Sequence, residues 1–571
     1  MRKLVSILLV AALLMCSSVF ASADFQSGTY EEEMVGHNGN VKLAVTFGEK
    51  WIESIDILEC EESKQLGDVA IQTIADEIIC KQSLNVDALA GATISSMTAK
   101  ALITQAVKDA GGDPADYQSR EEVDMSALPD ETVDMVIVGA GAAGMAAACE
   151  AADLGLNVIL VEKLGVLGGS SMRAGGIHGA ETSILEKYGM EYTHEQFYDM
   201  LTAPLSENLD PETLDIEYCK IASERWGENI EWLADLGVEF GEPWGGCEHW
   251  DTGAVRNAWR LIKAMHEHMD ELNVDYRLNS KAESLIIENG VVKGIVVTAP
   301  NGTQYRINAK GVVLCTGGFL ANKDLVAEYL PGQESFTFDE SIGCTGDGLI
   351  MALEAGADTK AMDSAGMHGL ATLYRGISRS LTMPAHSGAI AVNAKGERFA
   401  NEDGAYADLT AAVKAQGDVW CIMDEATFTA PAVATDVGGN PDMYVICDTL
   451  EELAYELGID AEGLKATAER YGEFVHNKVD EDFGKAENGL VGDYSVGPFY
   501  GLKAVVENHT NYGGIATDLN ARVLNKDGEA IEGLFAAGEV ACLKTPGRGP
   551  LSEAIDLGRI AARFINSDIN G

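Results

Sequence analysis

The stretch V-I-V-G-A-G-A-A-G, Val136 to Gly144, decides how most of this chain folds. It closes Val133 to Val138, which reads as one buried strand, and opens the small-residue run Met145 to Leu154, which reads as a helix. Between them Gly139 permits a tight turn, Gly141 lets the backbone approach a pyrophosphate, and Gly144 lets the helix pack on the strand. Ala142 lies in the same loop, where the helix amino terminus faces the phosphates. A second strand, Asn157 to Val161, ends at Glu162, which is about twenty residues past the loop and placed to accept ribose hydroxyls. Strand, glycine loop, helix, strand and acid make a βαβ unit, so the spacing predicts an α/β fold with a Rossmann-type dinucleotide-binding domain.

Around that unit, 571 residues with 46% hydrophobic content allow two to four globular domains. Met1 to Ala23 begins with Arg2 and Lys3, is apolar from Leu4 to Leu14 and ends in Ala21-Ser22-Ala23, the pattern of a secretory signal. The protein is therefore expected to be secreted or otherwise extracytoplasmic, possible attachment to the cell surface included; Cys16 is a rival lipidation site, although Met15 before it is large for one. No later stretch is long and apolar enough to span a bilayer. The formal charge is −50, and loss of Arg2 and Lys3 takes it to −52, so nucleic acid and anionic membranes are poor partners. Beyond Cys16 the ten other cysteines show no C-x-x-C or C-x-x-C-H spacing, so no zinc, iron–sulfur or c-type haem site is expected.

From Phe25 to about Tyr117 the pattern is strands (Val41 to Phe47, Trp51 to Leu58) followed by helices, the last from Met97 to Ala110. This is a small α+β module, placed at 24–118, with a polar, turn-rich linker at 119–131. Inside it lies D-A-L-A-G-A-T, Asp87 to Thr93. From the residues alone that run is equally an alanine-rich helix start with Thr93 as its cap. It also resembles the flavinylation motif of FMN-binding domains, a likeness that extends from Gly28-Thr29-Tyr30 onward. The resemblance implies FMN joined covalently through a phosphoester to Thr93 by a flavin transferase.

Past Glu162, the segments Gly168-Gly169-Ser170-Ser171, Gly175-Gly176, Gly311 to Gly318, Thr345-Gly346-Asp347-Gly348, Arg398 to Glu402, His509-Thr510 with Gly513-Gly514, and Ala537-Gly538-Glu539-Val540 follow in order. In that order they resemble the fumarate reductase and succinate dehydrogenase flavoprotein family, from Val133 to Ile565. With the first domain, the chain resembles the exported two-flavin reductases of anaerobic bacteria. The resemblance implies noncovalent FAD held between an FAD-binding domain (132–369 and 499–571) and an inserted α+β capping domain (370–498). It assigns FAD contacts to Gly139, Gly141, Ala142, Gly144, Glu162, Ser170, Ser171, Gly175, Gly176, Ala282, Asp347 and Glu539.

The resemblance also implies a reaction: hydride passes from flavin to the β-carbon of an activated C=C bond and an acid protonates the α-carbon. His509, Arg548 and His368 match residues that hold the substrate's carboxylate or carbonyl. Where the family's reductases carry an arginine four residues after the glutamate of R-F-x-N-E, this chain has Tyr406, which resembles the ketosteroid dehydrogenase branch. A phenol of pKa near 10 is a weak acid, and a neighbouring cation, Arg375 or Arg379, is expected to lower it. Trp244, Trp250 and the segment Met367 to Met383 are further pocket candidates. The expected activity is reduction of an enoate or enone, a small unsaturated acid or ketone, with electrons passing from FMN to FAD after delivery by a membrane or extracellular donor. A ketosteroid-type dehydrogenase and a flavin electron-transfer protein are the alternatives.

Overall fold

The computed structural model describes residues 25–570 apart from 37, 49–51, 64–66, 82, 85, 87–91, 115–129, 204–213, 251, 253–257, 301, 375–376, 435–438, 493 and 547. The expected signal segment, nearly all of the linker, Asp87 to Gly91 and Arg375 lie outside the described residues. Among those residues no helix is long and apolar enough to cross a membrane. The chain forms two compact units, one reaching Leu128 and including Ala299–Thr303, the other covering Pro129–Thr298 and Gln304–Gly571.

The first unit is an antiparallel sheet, β1 (Gly28–Val35), β2 (Asn40–Phe47) and β3 (Ile52–Cys60), with α1 (Gly67–Lys81) and α2 (Thr93–Asp109). Val41, Leu43, Val45 and Phe47 alternate along β2 and bury one face against Ile71, Ile74 and Ile78 of α1 and Leu102 and Ile103 of α2. The sequence reading named β2 and β3 but not β1, whose Glu31-Glu32-Glu33 looks nothing like a core strand. An edge strand pairs on one side only, and Glu31 and Glu33 stay in water while Glu32 is half-buried. α2 begins four residues earlier than expected, at Thr93; its N-cap is Ala92, so Thr93 is the first helical residue and not the cap.

Along the second unit run β4 (Glu131–Val138), α3 (Ala142–Asp153), β5 (Val158–Val161), β6 (Gln304–Leu314), β7 (Ala365–Tyr374), α4 (Tyr406–Gln416), β8 (Val419–Asp424), β9 (Phe499–Asn511), β10 (Ala530–Ala536) and α5 (Pro550–Asn570), with shorter elements between them. One sheet has the order Arg522–Leu524, β10, β6, β4, β5, Asp275–Arg277 and is parallel from β10 onward. Its central strands are apolar on both faces, as a sheet covered by helices requires. α3 and α5 pack on it and on each other, so closely that a Cβ on Gly558 of α5 would stand 2.2 Å from the Ala143 carbonyl oxygen of α3.

A second sheet has the order Ile377–Ser380, β7, β9, β8, Ile390–Asn393, with α4 packed on β7. Both expected edges of the capping segment fall at this sheet: position 370 lies inside β7, and 499 opens β9, the strand between β7 and β8. β9 and the first half of β7, which the sequence reading gave to the FAD-binding domain, thus share one sheet with β8 and Ile390–Asn393 of the expected capping segment.

Candidate active site

The parallel register sets Val138, Val161, Leu314 and Ala536 level with one another at the carboxyl ends of β4, β5, β6 and β10. The chain leaves each strand into one cavity of about 590 Å³, lined there by Gly139, Glu162, Thr316 and Glu539, at the edge where such sheets bind ligands. Gly139 has φ +100°, and a Cβ there would meet the Cys315 carbonyl oxygen at 2.3 Å. A Cβ on Gly144 would sit 1.9 Å from the Gly139 carbonyl oxygen, so Gly144 shapes the loop from beneath. Gly141 leaves its ligand side open, with nothing nearer than 3.9 Å to an added Cβ.

Apart from Gly144, every residue expected to touch FAD lines this cavity, Ala142, Ser170, Ser171, Gly175, Gly176, Ala282 and Asp347 among them. Glu162 accepts from the amides of Ala140 at 2.9 Å and Leu164 at 2.8 Å; burial raises its pKa, and these amides oppose the shift. Ser171 Oγ accepts from Ala142 N, Ser170 Oγ from Ser341 N, and Asp347 pairs with Lys163. Glu539 Oε1 accepts from the Thr510 hydroxyl at 2.7 Å and the Asn511 amide at 2.6 Å. Thr316 Oγ1 and His178 Nδ1 are buried cavity-lining atoms with no hydrogen-bond partner among the described residues. Such orphaned polar atoms, the open glycine loop and the helix amino terminus fit a polar dinucleotide.

The reactive end is set by strand geometry. Glu507 and His509 lie two apart on β9 and face the same side, while His368 on β7 is the cross-strand partner of Glu507. The short strand Thr337–Phe338 pairs with Glu507–Asn508 and delivers Asp339 beside His509. Two histidine–carboxylate pairs result, His368 Nδ1 with Glu507 at 2.8 Å and His509 Nδ1 with Asp339 at 3.1 Å. The two imidazoles stack with centroids 4.2 Å apart. His509 pays for its burial, which lowers its pKa, but the Asp339 carboxylate more than reverses this and lifts the pKa to about 9. Asp339 is held below the usual carboxylate range by His509 in spite of its own burial. His509 lines the cavity, whereas His368 lies one layer back, touching both His509 and Tyr406.

Tyr406 lines the cavity as the first residue of α4, its ring edge-to-face with His368 at 4.8 Å. The R-F-A-N-E segment positions it: Arg398 makes a two-pronged pair with Glu402 at 2.9 and 2.8 Å and bonds Asp480 at 3.0 Å. Glu402 also takes the Ala391 amide, so this buried cluster fixes the turn four residues before the phenol. The expectation that a cation lowers the Tyr406 pKa is overturned. Burial raises it, the Glu248, Asp339 and Glu507 carboxylates add to the rise, and a hydrogen bond with Thr382 opposes it. Arg379 donates to the Ser378 carbonyl.

Arg548 is also placed differently from expectation. Its Nη1 donates to the Leu201 carbonyl at 2.6 Å, and it is absent from the cavity lining. The loop Lys544 to Gly549 is drawn the other way by buried Glu553, which takes the Lys544 and Thr545 amides. The described lining includes Arg173, which donates to the Asp339 carbonyl at 2.5 Å, and His386, whose pKa burial lowers, beside the protonated His509. Sequence reasoning missed Asp339 and Glu507, while Thr382 falls in the segment Met367 to Met383 that it put forward for the pocket. Asp339 stands just ahead of the T-G-D-G segment and Glu507 two residues before His509, but only strand pairing reveals what they touch.

Parallel sheet, glycine loop, cavity at the strand ends and inserted second sheet define the class as an FAD-dependent oxidoreductase. The model of the FAD binding domain family matches residues 134–552, and the chain belongs to that family. The FMN-binding domain model matches residues 36–108. The chain is 30% identical to the urocanate reductase of Eggerthella lenta over 89% of its own length and 86% of that protein. It is 29% identical to the NADH:acrylate oxidoreductase of Vibrio harveyi over 90% of its length, and spans only 58% of that protein. The open conformation of a flavocytochrome c3 fumarate reductase superposes with a TM-score of 0.67 at 27% identity, covering 86% of each chain.

Proposed function

We propose that this protein is an extracytoplasmic reductase of an activated C=C bond in a small unsaturated acid or ketone, with electrons entering through FMN on Thr93 and passing to FAD. The observation that carries the reading is the convergence of the Tyr406 phenol and the protonated His509 imidazole on the cavity that the dinucleotide loops line. FAD, when bound along Gly139 to Ala142, Glu162, Ser170, Ser171 and Glu539, supplies the hydride that the β-carbon receives. The remaining work belongs to side chains of the chain itself. His509, kept cationic by Asp339, binds the carboxylate or carbonyl that activates the alkene and draws charge toward it. Tyr406 keeps its proton at neutral pH and gives it to the α-carbon, where the developing carbanion is far more basic than a phenolate. Relatives named for urocanate and acrylate support an alkene bearing a carboxylate.

Entry through Thr93 is supported by its place at the start of the 17-residue helix α2, whose N-cap Ala92 makes no side-chain cap bond, so that the helix amino terminus suits a phosphoester. Ile94 and Met97 on that turn are 53% and 61% exposed, an apolar surface suited to a flavin ring. A flavin transferase would install the FMN, and a membrane or extracellular carrier would reduce it. The reading is tested by reducing the two-flavin protein with dithionite under anaerobic conditions and mixing it with acrylate, fumarate, urocanate and cyclohex-2-enone. Rapid flavin reoxidation by at least one of these alkenes is expected, and no reoxidation by any of them sinks it.

A further inference from the structure

Glu507 is a fully buried carboxylate off the cavity lining, in contact with His368, the histidine set back from that lining. Burying a carboxylate is costly unless it is fully hydrogen-bonded, and an apolar residue would satisfy the same strand position without that cost. Here both oxygens are engaged. Oε1 takes His368 Nδ1 at 2.8 Å, Oε2 takes the Ser378 hydroxyl, and Ser378 Oγ is itself 2.9 Å from Thr337 Oγ1. The carboxylate is thus pinned by three strands and presents one acceptor to one imidazole nitrogen. A carboxylate in that place holds the proton on Nδ1 and fixes both tautomer and ring plane. The ring it fixes stacks on His509 at 4.2 Å with 26° between planes, and meets Tyr406 at 4.8 Å with 74° between planes. Whatever sets the plane of His368 sets the seats of both cavity-lining groups.

We propose that Glu507 is a positioning residue for proton transfer from Tyr406, acting through His368; the inference rests on the reductase reading above. In that step the phenolic O–H bond breaks, a C–H bond forms at the α-carbon, and solvent returns the proton to the phenolate after product leaves. Glu507 exchanges no proton in it. Its negative charge also favours the protonated phenol of Tyr406 and the protonated imidazole of His509, the two forms the step requires.

The test uses the protein carrying both flavins, reduced by dithionite, with the alkene among acrylate, fumarate, urocanate and cyclohex-2-enone that reoxidises the wild type fastest. Glu507→Gln keeps the shape but offers an amide where a carboxylate stood. It should slow reoxidation about 100-fold, the scale of losing an aligned acid, while the half-saturating alkene concentration and FAD content stay within about twofold. Glu507→Asp should recover part of the rate. In a His368→Phe background, Glu507→Gln should add less than about twofold, since the residue acts through the missing ring. Wild-type rates in Glu507→Gln, or an undiminished effect in the His368→Phe background, would overturn the proposal. Should Glu507→Gln fail to fold, Ser378→Ala loosens only the second oxygen and is expected to cost about tenfold in rate, and no change there overturns it equally. A slow Tyr406→Phe beside a normal Glu507→Gln removes this inference and leaves the reductase reading standing.

Discussion

The imidazoles of His368 and His509 lie face to face with 4.2 Å between centroids, each tied through Nδ1 to its own carboxylate, Glu507 behind one and Asp339 behind the other. Two stacked rings that were both cationic would repel at this distance. Asp339 lifts the pKa of the cavity-lining ring, His509, to about 9, so that ring carries the charge the chemistry needs.

Its removal gives the first prediction. With His509 titrating at about 9, alkene binding should be level through neutral pH and weaken above that value as the imidazole loses its proton. In Asp339→Asn the loss should begin near an ordinary histidine value of about 6.5, measured as KM against pH. Stability follows the same sign. The His509 pKa is raised, so its contribution is complete below about 6.5 and disappears as pH rises through about 9. The Asp339 pKa is lowered, so its contribution is present above the unfolded value of 3.8 and is lost as pH falls through the folded one.

Tyr406→Phe removes one hydroxyl and leaves the Arg398–Glu402 cluster that seats α4 untouched. FAD content should be unchanged and turnover should fall about 10²–10⁴-fold, the usual contribution of an aligned general acid. Because burial raises the phenol's pKa, wild-type turnover should show no alkaline loss from Tyr406 below the ordinary phenol value of about 10. Full activity in Tyr406→Phe would show that another group donates the proton.

The Arg398–Glu402 pair invites a stability measurement. Both side chains are buried, and Lys485 and Asp480 complete the cluster. Glu402→Ala leaves Arg398 and Lys485 with one fewer counter-charge away from water, a change expected to cost about 3–5 kcal/mol. Glu402 has a lowered pKa, so its contribution persists above the ordinary carboxylate value and fades as pH falls through the lowered one. Chemical denaturation of wild type and Glu402→Ala at neutral pH measures the difference, and a loss below about 1 kcal/mol would mean the cluster is structurally idle.

How far the site could be read from sequence depends on how local each part is. The loop Gly139 to Gly144 and Glu162 are legible because one βαβ unit holds their spacing, down to the 1.9 Å clearance above Gly144, although the carbonyl that crowds Gly139 comes from Cys315. Tyr406 is legible because its offset from Glu402 is a single turn, fixed by a salt bridge within the motif. Asp339 and Glu507 are not, since their roles come from the register between strands more than a hundred residues apart in sequence. Arg548 was misplaced for a related reason: its loop is oriented by Glu553 of α5, which spacing around the arginine does not reveal. β1 escaped because an edge strand needs no apolar alternation.

Thr93 offers the last prediction, one that separates delivery of electrons from their use. As the first residue of α2 it precedes a helix already held by Leu102, Ile103 and Ala106 in the core of the first unit, so Thr93→Ala should leave that unit folded. If FMN is esterified there, the variant should run as a protein without covalent flavin on a denaturing gel, where the wild type fluoresces. Alkene reduction driven by a low-potential dye that reduces FAD directly should survive, whereas reduction driven by a donor that must enter through FMN should fall to background. Covalent fluorescence retained in Thr93→Ala would place the attachment elsewhere. Equal loss with both reductants would mean that the substitution damages more than the relay.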